Sequence, residues 1–498
     1  MNIKEAKLQV SNAIRAYRTR DEFGRLRISK PRQRPVFLVG APGIGKTAIV
    51  EQIAKEMGIG LVSYSITHHT RQSALGLPYI SEKEYGGETF RTSEYTMSEI
   101  IASVYKKMEE TGIGEGILFL DEINCVSETL TPAMLQFLQY KVFGQHAVPD
   151  GWIVVTAGNP PEYNSSVHEF DMVTQDRLKR IDIEPDYGAW KEWAVDEQVH
   201  PCILSYLDIR KEDFYKVENT IDGRRFVTPR AWVDLSDMIE LYECNKITVD
   251  ELLIRQYLQD DQISKQFAVY YELWKKYSSD YQVNEILEGN YGEEEIRRAG
   301  NAPFDERISL IGLLLDGVKQ SMKEVMDRRR VLVRVKGILT EMHVASEAAP
   351  ENHKVASEEL QRQIRALEEK TGKRRKELLT QTEEAEVLRT LLYLRKLPLP
   401  GDDTKLLEDA KESYRSDVDR MKEASEHTDA RLRNLFGFVV STYGEGAELM
   451  LVMTELTAAK LSAGYIAQYG SEEYYAYNHK LLFYERSKEV LKEIDEVL

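Results

Sequence analysis

A glycine-rich segment, Gly40-Ala-Pro-Gly43-Ile-Gly45-Lys46-Thr47, constrains the fold more than any other part of the sequence. It matches G-x-x-x-x-G-K-[ST] in full, and it stands between an apolar run and a stretch with apolar residues at helical spacing. Glycines let backbone N–H groups turn towards phosphate oxygens, and the following helix directs its positive end at the same point. The segment therefore predicts a phosphate-binding turn between a strand and a helix.

The residue types of this turn suggest a separate role for each. Lys46 is expected to reach the β- and γ-phosphates of a nucleotide, and the Thr47 hydroxyl is expected to ligate Mg²⁺. The predicted nucleotide-contacting residues of the turn are Gly40, Pro42, Gly43, Gly45, Lys46 and Thr47. The alternative, a glycine-rich turn with an incidental lysine, does not account for the strand and helix signals on either side.

Short apolar runs alternate with helical patterns through residues 35–185. The predicted strands are Pro35–Val39, Leu61–Ser65, Ile117–Leu120, Trp152–Ala157 and Arg180–Ile183. The predicted helices are Lys46–Met57, Met97–Glu110 and Pro132–Tyr140; a capping box of Thr96 with Glu99 starts the second, and Gly112 ends it. This alternation predicts a parallel sheet with helices on both faces, whose carboxyl strand ends form the ligand edge.

Polar residues follow two of these predicted strands. Asp121 stands where it can hold Mg²⁺ beside Thr47, as a metal- and cofactor-binding residue, and Glu122 can act as a general base on water. Asn159 follows the next strand and can help to hold that water. Each has a structural alternative, an acidic helix cap for the carboxylates and an Asn-Pro turn for the amide. Their order after the phosphate-binding turn favours a hydrolytic site.

The sequence resembles the AAA+ ATPases, and specifically their MoxR-type branch. The motifs that carry the resemblance cover about residues 30–245 and are GAPGIGKT, GILFLDEIN, VVTAGNPPEYN, DRLKRIDIEPDYGAW and TPRAW. The resemblance implies an α/β P-loop core followed by an α-helical lid and an all-α C-terminal region. It also implies that Asn159 is sensor 1, that Arg177 is an arginine finger for a neighbouring subunit, and that Arg230 is sensor 2. A finger supplied by a neighbour implies a ring, usually a hexamer.

The sequence departs from the family pattern at two places. Leu178 follows the proposed finger where Phe is more usual, and Arg180 close by is the alternative finger. The stretch from Tyr140 to Trp152 is short, so any hairpin before sensor 1 is expected to be reduced or absent. A DNA-gripping role is less favoured for that reason.

The whole chain is predicted to divide into four segments. These are a basic N-terminal segment (1–34), the AAA+ core (35–185), a helical lid (186–278) interrupted at Asp222–Pro229, and a helical C-terminal region (279–498) with a break at Pro398–Asp403. In the last, Leu360, Ile364, Leu367 and Leu378 fit a heptad that Thr371 and Gly372 interrupt, which indicates a long helical hairpin. A terminal bundle is expected from Leu432 onwards, with Gly470–Ser471 as a stop and cap.

Composition restricts the possible partners. The chain carries a net charge of −17, so nucleic acid is not the default partner. Ten Lys or Arg between Lys4 and Arg34 form either a docking collar or one face of an amphipathic helix that balances an acidic body. The three cysteines are isolated, and no apolar run has a membrane-spanning length, so we expect a cytoplasmic protein.

Three further features suggest weaker hypotheses. The loop Thr67–Pro78 is a candidate partner-contacting loop by family resemblance, and a metal site at His68 and His69 is disfavoured because no third ligand is evident. The tyrosines between Tyr443 and Tyr484 are either a partner face or, more simply, a bundle core. The charged helices from Glu358 to Arg420 are solvated or contact a partner.

Three functions remain open from the sequence. The first is an ATP-hydrolysing, chaperone-like remodeller of a protein client, for which the resemblance suggests a protein with a von Willebrand factor A domain. The second is a nucleic-acid-dependent motor or defence-type NTPase. The third is a nucleotide-gated assembly scaffold that turns over slowly. ATP rather than GTP is inferred from the family, and no N-K-x-D guanine-reading motif is present.

Overall fold

The computed structural model describes residues 1–68, 76–127, 129–163, 167, 170–220, 223–348, 354–372, 379–397 and 403–479. The chain divides into two units, which are described separately. The first comprises Met1–Trp190 with Thr228–Arg230 and Gly372–Gln381, and the second comprises Lys191–Val227, Ala231–Thr371 and Thr382–Leu498.

The first unit contains a five-stranded parallel sheet. The strands of this unit are β1 (Val36–Gly40), β2 (Gly60–Ser65), β3 (Pro78–Tyr85), β4 (Glu88–Tyr95), β5 (Gly116–Asp121), β6 (Val142–Phe143), β7 (His146–Ala147), β8 (Trp152–Gly158) and β9 (Lys179–Ile183). The sheet has the order β2-β5-β8-β1-β9, with every neighbouring pair parallel. All five predicted strands are confirmed, and β1 and β8 are buried along their whole length, as expected for a sheet covered on both faces.

Helices flank this sheet, also as predicted. They are α1 (Ile3–Tyr17), α2 (Lys46–Met57), α3 (Glu99–Thr111), α4 (Thr131–Tyr140), α5 (Met172–Gln175) and α6 (Tyr187–Asp196), which begins in this unit. The predicted capping residue of α3 is wrong. Ser98 caps it by accepting from the backbone N–H of Ile101, whereas the Thr96 hydroxyl accepts from the backbone N–H of Leu77. Gly112 ends α3 in a left-handed conformation, as predicted.

Two antiparallel hairpins stand outside the main sheet. The β3–β4 hairpin was not predicted, because its strands are mostly exposed and lack the apolar runs on which the strand predictions depended. The sequence feature that indicates this hairpin is the Gly86-Gly87 dipeptide between two alternating segments. Both glycines adopt a positive φ in the structure. The β6–β7 hairpin has only two residues in each strand, so the hairpin between Tyr140 and Trp152 is reduced, as expected.

The basic N-terminal segment forms ion pairs within the first unit. Helix α1 buries Ala6, Val10 and Ile14, and Lys7 on the same helix bonds Glu56 at 2.7 Å. Beyond it, Arg18 and Arg20 pair with Glu115, Lys30 pairs with Asp150, and Arg34 pairs with Asp176. These pairs favour the amphipathic helix that balances acidic neighbours over a collar whose charges are all available to a partner.

The second unit is mainly helical. Its helices are α7 (Pro201–Ile209), α8 (Pro229–Cys244), α9 (Glu251–Tyr257), α10 (Asp261–Asp280), α11 (Val283–Leu287), α12 (Glu293–Gly300), α13 (Phe304–Ala348), α14 (Val355–Thr371), α15 (Gln381–Lys396), α16 (Asp403–Tyr443), α17 (Ala447–Ala458) and α18 (Lys460–Tyr469); the first residues of α8 and α15 belong to the first unit. The prediction that residues 186–278 are helical apart from an interruption at Asp222–Pro229 is wrong at one place. An antiparallel hairpin of β10 (Lys216–Thr220) and β11 (Gly223–Val227) lies there. Its signal was Asp222-Gly223, a dipeptide typical of hairpin turns.

Four helices of this unit share one hydrophobic core: the long helices α13 and α16 and the shorter helices α14 and α15. Side chains of α13, α14, α15 and α16 meet in it, including the predicted heptad residues Leu360, Ile364 and Leu367. Leu378 lies outside the described residues. Helix α15 ends at Lys396 and α16 begins at Asp403, on either side of the predicted break. Residues 355–397 thus contain two helices, α14 and α15, which both contribute side chains to this core, and their description as a long hairpin stays a prediction.

The C-terminal helices combine buried and exposed tyrosines. Tyr465 and Tyr474 are buried, whereas Tyr475 is half exposed, so the tyrosine-rich segment contributes both core and surface. Tyr484 lies outside the described residues. Gly470 and Ser471 act as the predicted stop and cap, because the Ser471 hydroxyl accepts from the backbone N–H of Tyr474.

In the part of the chain that the structure describes, no single helix has the length and apolar character needed to cross a membrane. The bent pair α17 and α18 meets that test of length and composition only when the two helices are taken together.

Asp403 provides a testable long-range cap. Its buried carboxylate accepts from the backbone N–H groups of Ala356 at 2.7 Å and Ser357 at 3.1 Å, at the start of α14. We expect Asp403→Ala to destabilise this helix locally by about 1–2 kcal/mol, because two N–H groups lose their acceptor. Amide hydrogen exchange in residues 355–371 should accelerate, with exchange in α3 unchanged. The control is Glu408→Ala, at an exposed position of α16. Unchanged exchange in α14 would contradict the assignment.

Candidate nucleotide-hydrolysis site

The candidate site lies where three neighbouring strands end. In the sheet, β8 lies between β5 and β1, and all three run in the same direction. Their carboxyl ends therefore present the phosphate-binding turn, the Asp121–Glu122 pair and Asn159 side by side. The hydrogen-bonding register of three strands thus brings together residues that are far apart in sequence.

The phosphate-binding turn has the backbone that an anion site requires. Gly43 and Gly45 have φ values of 76° and 95°, which residues with a Cβ rarely adopt. Helix α2 begins immediately afterwards at Lys46, and no side chain caps its first N–H groups. Those N–H groups and the positive end of the helix are available to phosphate oxygens.

Lys46 is held inside the turn by oxygen atoms. Its Nζ donates to the carbonyl oxygens of Gly40 and Ala41, both at 2.8 Å, and to Oδ1 of Asn159 at 2.9 Å. Burial lowers the pKa of Lys46 to about 8, although the charges of Asp121 and Glu122 act in the opposite direction. A phosphate group beside this ammonium would stabilise its charged form, so the residue fits a polyanionic ligand.

Thr47 and Asp121 form the candidate metal-binding pair. The Thr47 hydroxyl lies 3.1 Å from Oδ2 of Asp121 and donates to it. A hydroxyl and a carboxylate are oxygen ligands of the kind that Mg²⁺ prefers, and Mg²⁺ commonly binds through one or two protein oxygens together with substrate phosphates. Among the described residues no group of three or more His, Cys, Asp or Glu could hold a metal ion. His69 and the side chain of His68 lie outside the described part of the chain.

Glu122 is held by two hydroxyl groups that the sequence did not indicate. Its backbone has a φ of 56°, an uncommon conformation for glutamate, which places the carboxylate at the end of β5. There Oε2 accepts from the Ser65 and Thr67 hydroxyls, each at 3.0 Å. The parallel pairing of β2 with β5 sets Ser65 opposite Asp121, and this pairing could not be read from the sequence.

The remaining predicted site residues are Asn159, Arg230 and Arg177, and each lies at a different position. Asn159 lies in the site, with its side chain on Lys46. The backbone N–H of Arg230 donates to the Gly43 carbonyl at 3.1 Å, and its positive charge lowers the pKa of Lys46, so Arg230 lies at the phosphate-binding turn.

Arg177 is exposed. Among the described residues its side chain has no hydrogen bond or ion pair. Arg180, the alternative finger, pairs with Asp182 at 2.8 Å.

A comparison with protein-family models identifies the sheet and its ligand edge. The model described as "ATPase family associated with various cellular activities (AAA)" matches residues 36–163. This segment is an AAA+ ATPase domain. The match includes the phosphate-binding turn, Asp121, Glu122 and Asn159, whereas Arg177 and Arg230 lie beyond it. No curated protein matches the chain.

The Glu122 contacts in this AAA+ domain generate a prediction. We expect the double variant Ser65→Ala, Thr67→Val to raise basal ATP hydrolysis about tenfold. The carboxylate would lose competing hydrogen bonds, and a tenfold change corresponds to about 1.4 kcal/mol. Steady-state phosphate release measures the effect, and Ser63→Ala, an exposed position of the same strand, is the control. A fall in the basal rate would instead mean that the hydroxyls hold Glu122 in its working position.

Proposed function

We propose that this protein hydrolyses ATP with Mg²⁺ at the AAA+ site. The observation that carries the proposal is the convergence of Lys46, Thr47, Asp121, Glu122 and Asn159 at the ends of three adjacent strands. These residues combine a phosphate-binding cation, oxygen ligands for a metal, a carboxylate base and an amide that can hold water. The AAA family match supports nucleotide hydrolysis in general, and the choice of ATP rests on the resemblance described above.

The proposed chemistry assigns one task to each group. Glu122 accepts a proton from water, the water oxygen attacks the γ-phosphorus, and the bond to the β–γ bridging oxygen breaks to release ADP. Lys46 and the helix α2 N-terminus stabilise negative charge on the phosphate oxygens. Bound Mg²⁺, held by Thr47 and Asp121, would neutralise phosphate charge. Asn159 orients the water, and Arg230 contacts the phosphates from the lid, for which we propose residues 186–278.

We further propose that the site is completed by Arg177 of a neighbouring subunit in a ring, as a hexamer. The Arg177 side chain is exposed and forms no ion pair or hydrogen bond within the described residues, which supports this role. Met172 and Val173 on the preceding helix are 86% and 59% exposed, which adds apolar surface suited to a subunit contact. The ion pair of Arg180 with Asp182 makes Arg180 a poorer candidate, because a finger must be available to a partner.

For the biological role, we infer a MoxR-type, chaperone-like remodeller of a protein client in the cytoplasm. A client with a von Willebrand factor A domain follows from the resemblance alone. The acidic balance of the chain and the two-residue strands of the β6–β7 hairpin support a protein client over a nucleic acid.

Mixing two inactive variants tests the shared site. Lys46→Ala removes the phosphate contact, and Arg177→Ala removes the finger, so each variant alone should have almost no ATPase activity. Co-expressed rings should recover activity, because roughly a quarter of randomly formed interfaces combine an intact turn with an intact finger. Phosphate release from purified mixed rings is the measurement.

The control for this experiment is Arg180→Ala, which should keep most activity on its own because it removes only the pair with Asp182. No recovery in rings that demonstrably contain both variants would mean that Arg177 does not act across subunits. An inactive Arg180→Ala with an active Arg177→Ala would move the finger to Arg180.

A trapping experiment tests the client. Glu122→Gln should bind ATP and retain the client, because binding is preserved while the proton acceptor is lost. Affinity capture with this variant in the presence of ATP should recover a specific protein that Lys46→Ala does not recover. Recovery of nucleic acid instead, or ATPase stimulation by DNA at low salt, would support a motor. Full cellular function in Glu122→Gln would support an assembly scaffold.

A further inference from the structure

Asn124 links the two sides of the catalytic edge. It lies in the short 3₁₀ turn Ile123–Cys125, which begins directly after Glu122. Its side chain is 7% exposed, and its Nδ2 donates to the backbone carbonyl of Asn159 at 2.7 Å. The Asn159 side chain in turn accepts from Lys46. One buried amide therefore joins the turn that carries Glu122 to the residue that contacts Lys46.

The contact between these two turns is very close. A Cβ placed on Gly158, the last residue of β8, would lie 2.3 Å from Oδ1 and 2.7 Å from Cγ of Asn124. Real Cβ atoms do not approach other atoms so closely, and Asn124 is buried, which leaves its side chain little room to move. Glycine at position 158 is thus the condition under which the Asn124 side chain reaches the Asn159 carbonyl.

The Asn124 side chain also lowers the stability of the folded protein. Its Oδ1 is buried and has no hydrogen-bond partner within the part of the chain that the structure describes. An unsatisfied buried acceptor costs about 1–3 kcal/mol, and the neighbouring Ile123 and Val126 are buried apolar side chains. A residue selected for packing alone would be apolar here. A half-satisfied polar group beside the site indicates a role for its one hydrogen bond.

We propose that Asn124 is a positioning residue for hydrolysis. Its hydrogen bond fixes the Asn159–Pro160 peptide, to which the accepting carbonyl belongs, against the Glu122 turn. It thereby sets the distance between the carboxylate that accepts the proton and the Asn159 side-chain amide that holds the water. The proposal rests on the ATPase function proposed above. It requires that loss of the bond lowers the rate of the chemical step while ATP binding, which depends on the phosphate-binding turn, is preserved.

The decisive variant is Asn124→Leu, which keeps the branched shape and removes the donor. We expect kcat to fall about tenfold to a hundredfold, because small misplacements of catalytic groups have effects of that size. KM for ATP and the affinity for a non-hydrolysable ATP analogue should stay within about threefold of wild type, since uniform binding is untouched. The thermal unfolding temperature should change little, because the variant removes one orphaned acceptor but leaves the half-buried Asn159 carbonyl without its donor.

A double-variant cycle tests the same contact from the other side. Gly158→Ala should lower kcat by displacing the Asn124 side chain. Asn124→Ala removes that side chain and should lower kcat in the manner of Asn124→Leu. The double variant should then be no worse than Asn124→Ala alone, since the added methyl group has nothing left to displace. Additive losses would mean that Gly158 acts independently of Asn124.

The matched control is Asn245→Leu. Asn245 also donates its Nδ2 to a backbone carbonyl, that of Leu241 at 2.8 Å, but at an exposed position directly after α8, at the opposite end of that helix from Arg230. It should leave kcat unchanged. Folded Asn124→Leu and Asn124→Ala with kcat within about threefold of an active wild type would overturn the positioning role. A kcat loss that only follows the folded fraction would make Asn124 structural. An inactive wild type would count against the proposed function instead.

Discussion

The pairing of β8 between β1 and β5 is the constraint on which the rest of the site depends. Each of these strands ends in a residue or turn whose chemistry is incomplete alone: a cation and anion-binding amides after β1, two carboxylates after β5, and an amide after β8. Parallel pairing forces the three ends to the same edge. The apolar, buried strands therefore have a functional consequence, because a slip in register would separate Lys46 from Asn159.

The site residues that could be predicted from the sequence are those that belong to a local motif. The turn at Gly40–Thr47, the Asp121–Glu122 pair and Asn159 each follow a strand signal, so they could be found from periodicity and spacing. Ser65 and Thr67 could not, because their contact with Glu122 depends on which strand lies beside β5. Asn124 was also missed, since an asparagine in an irregular turn has no periodic signal.

The fold predictions failed where local apolar content is low. The β3–β4 and β10–β11 hairpins are stabilised by backbone pairing, with few buried side chains among the described ones. In the sequence only the Gly86-Gly87 and Asp222-Gly223 dipeptides indicated them. The cap of α3 was misassigned by two residues because Thr96 and Ser98 are both good capping residues, and a contact with Leu77 decides between them. The long helices had strong periodicity and were found.

The length of α13 has a mechanical consequence. A straight helix of 45 residues extends about 68 Å, so a rotation of about 5° at one end displaces the other end by about 6 Å. Its shared core with α14, α15 and α16 resists bending, and the long-range cap at Asp403 adds a polar tie to that core. Such an element works as a lever, which converts a small angular change at its base into a displacement larger than the diameter of a water molecule.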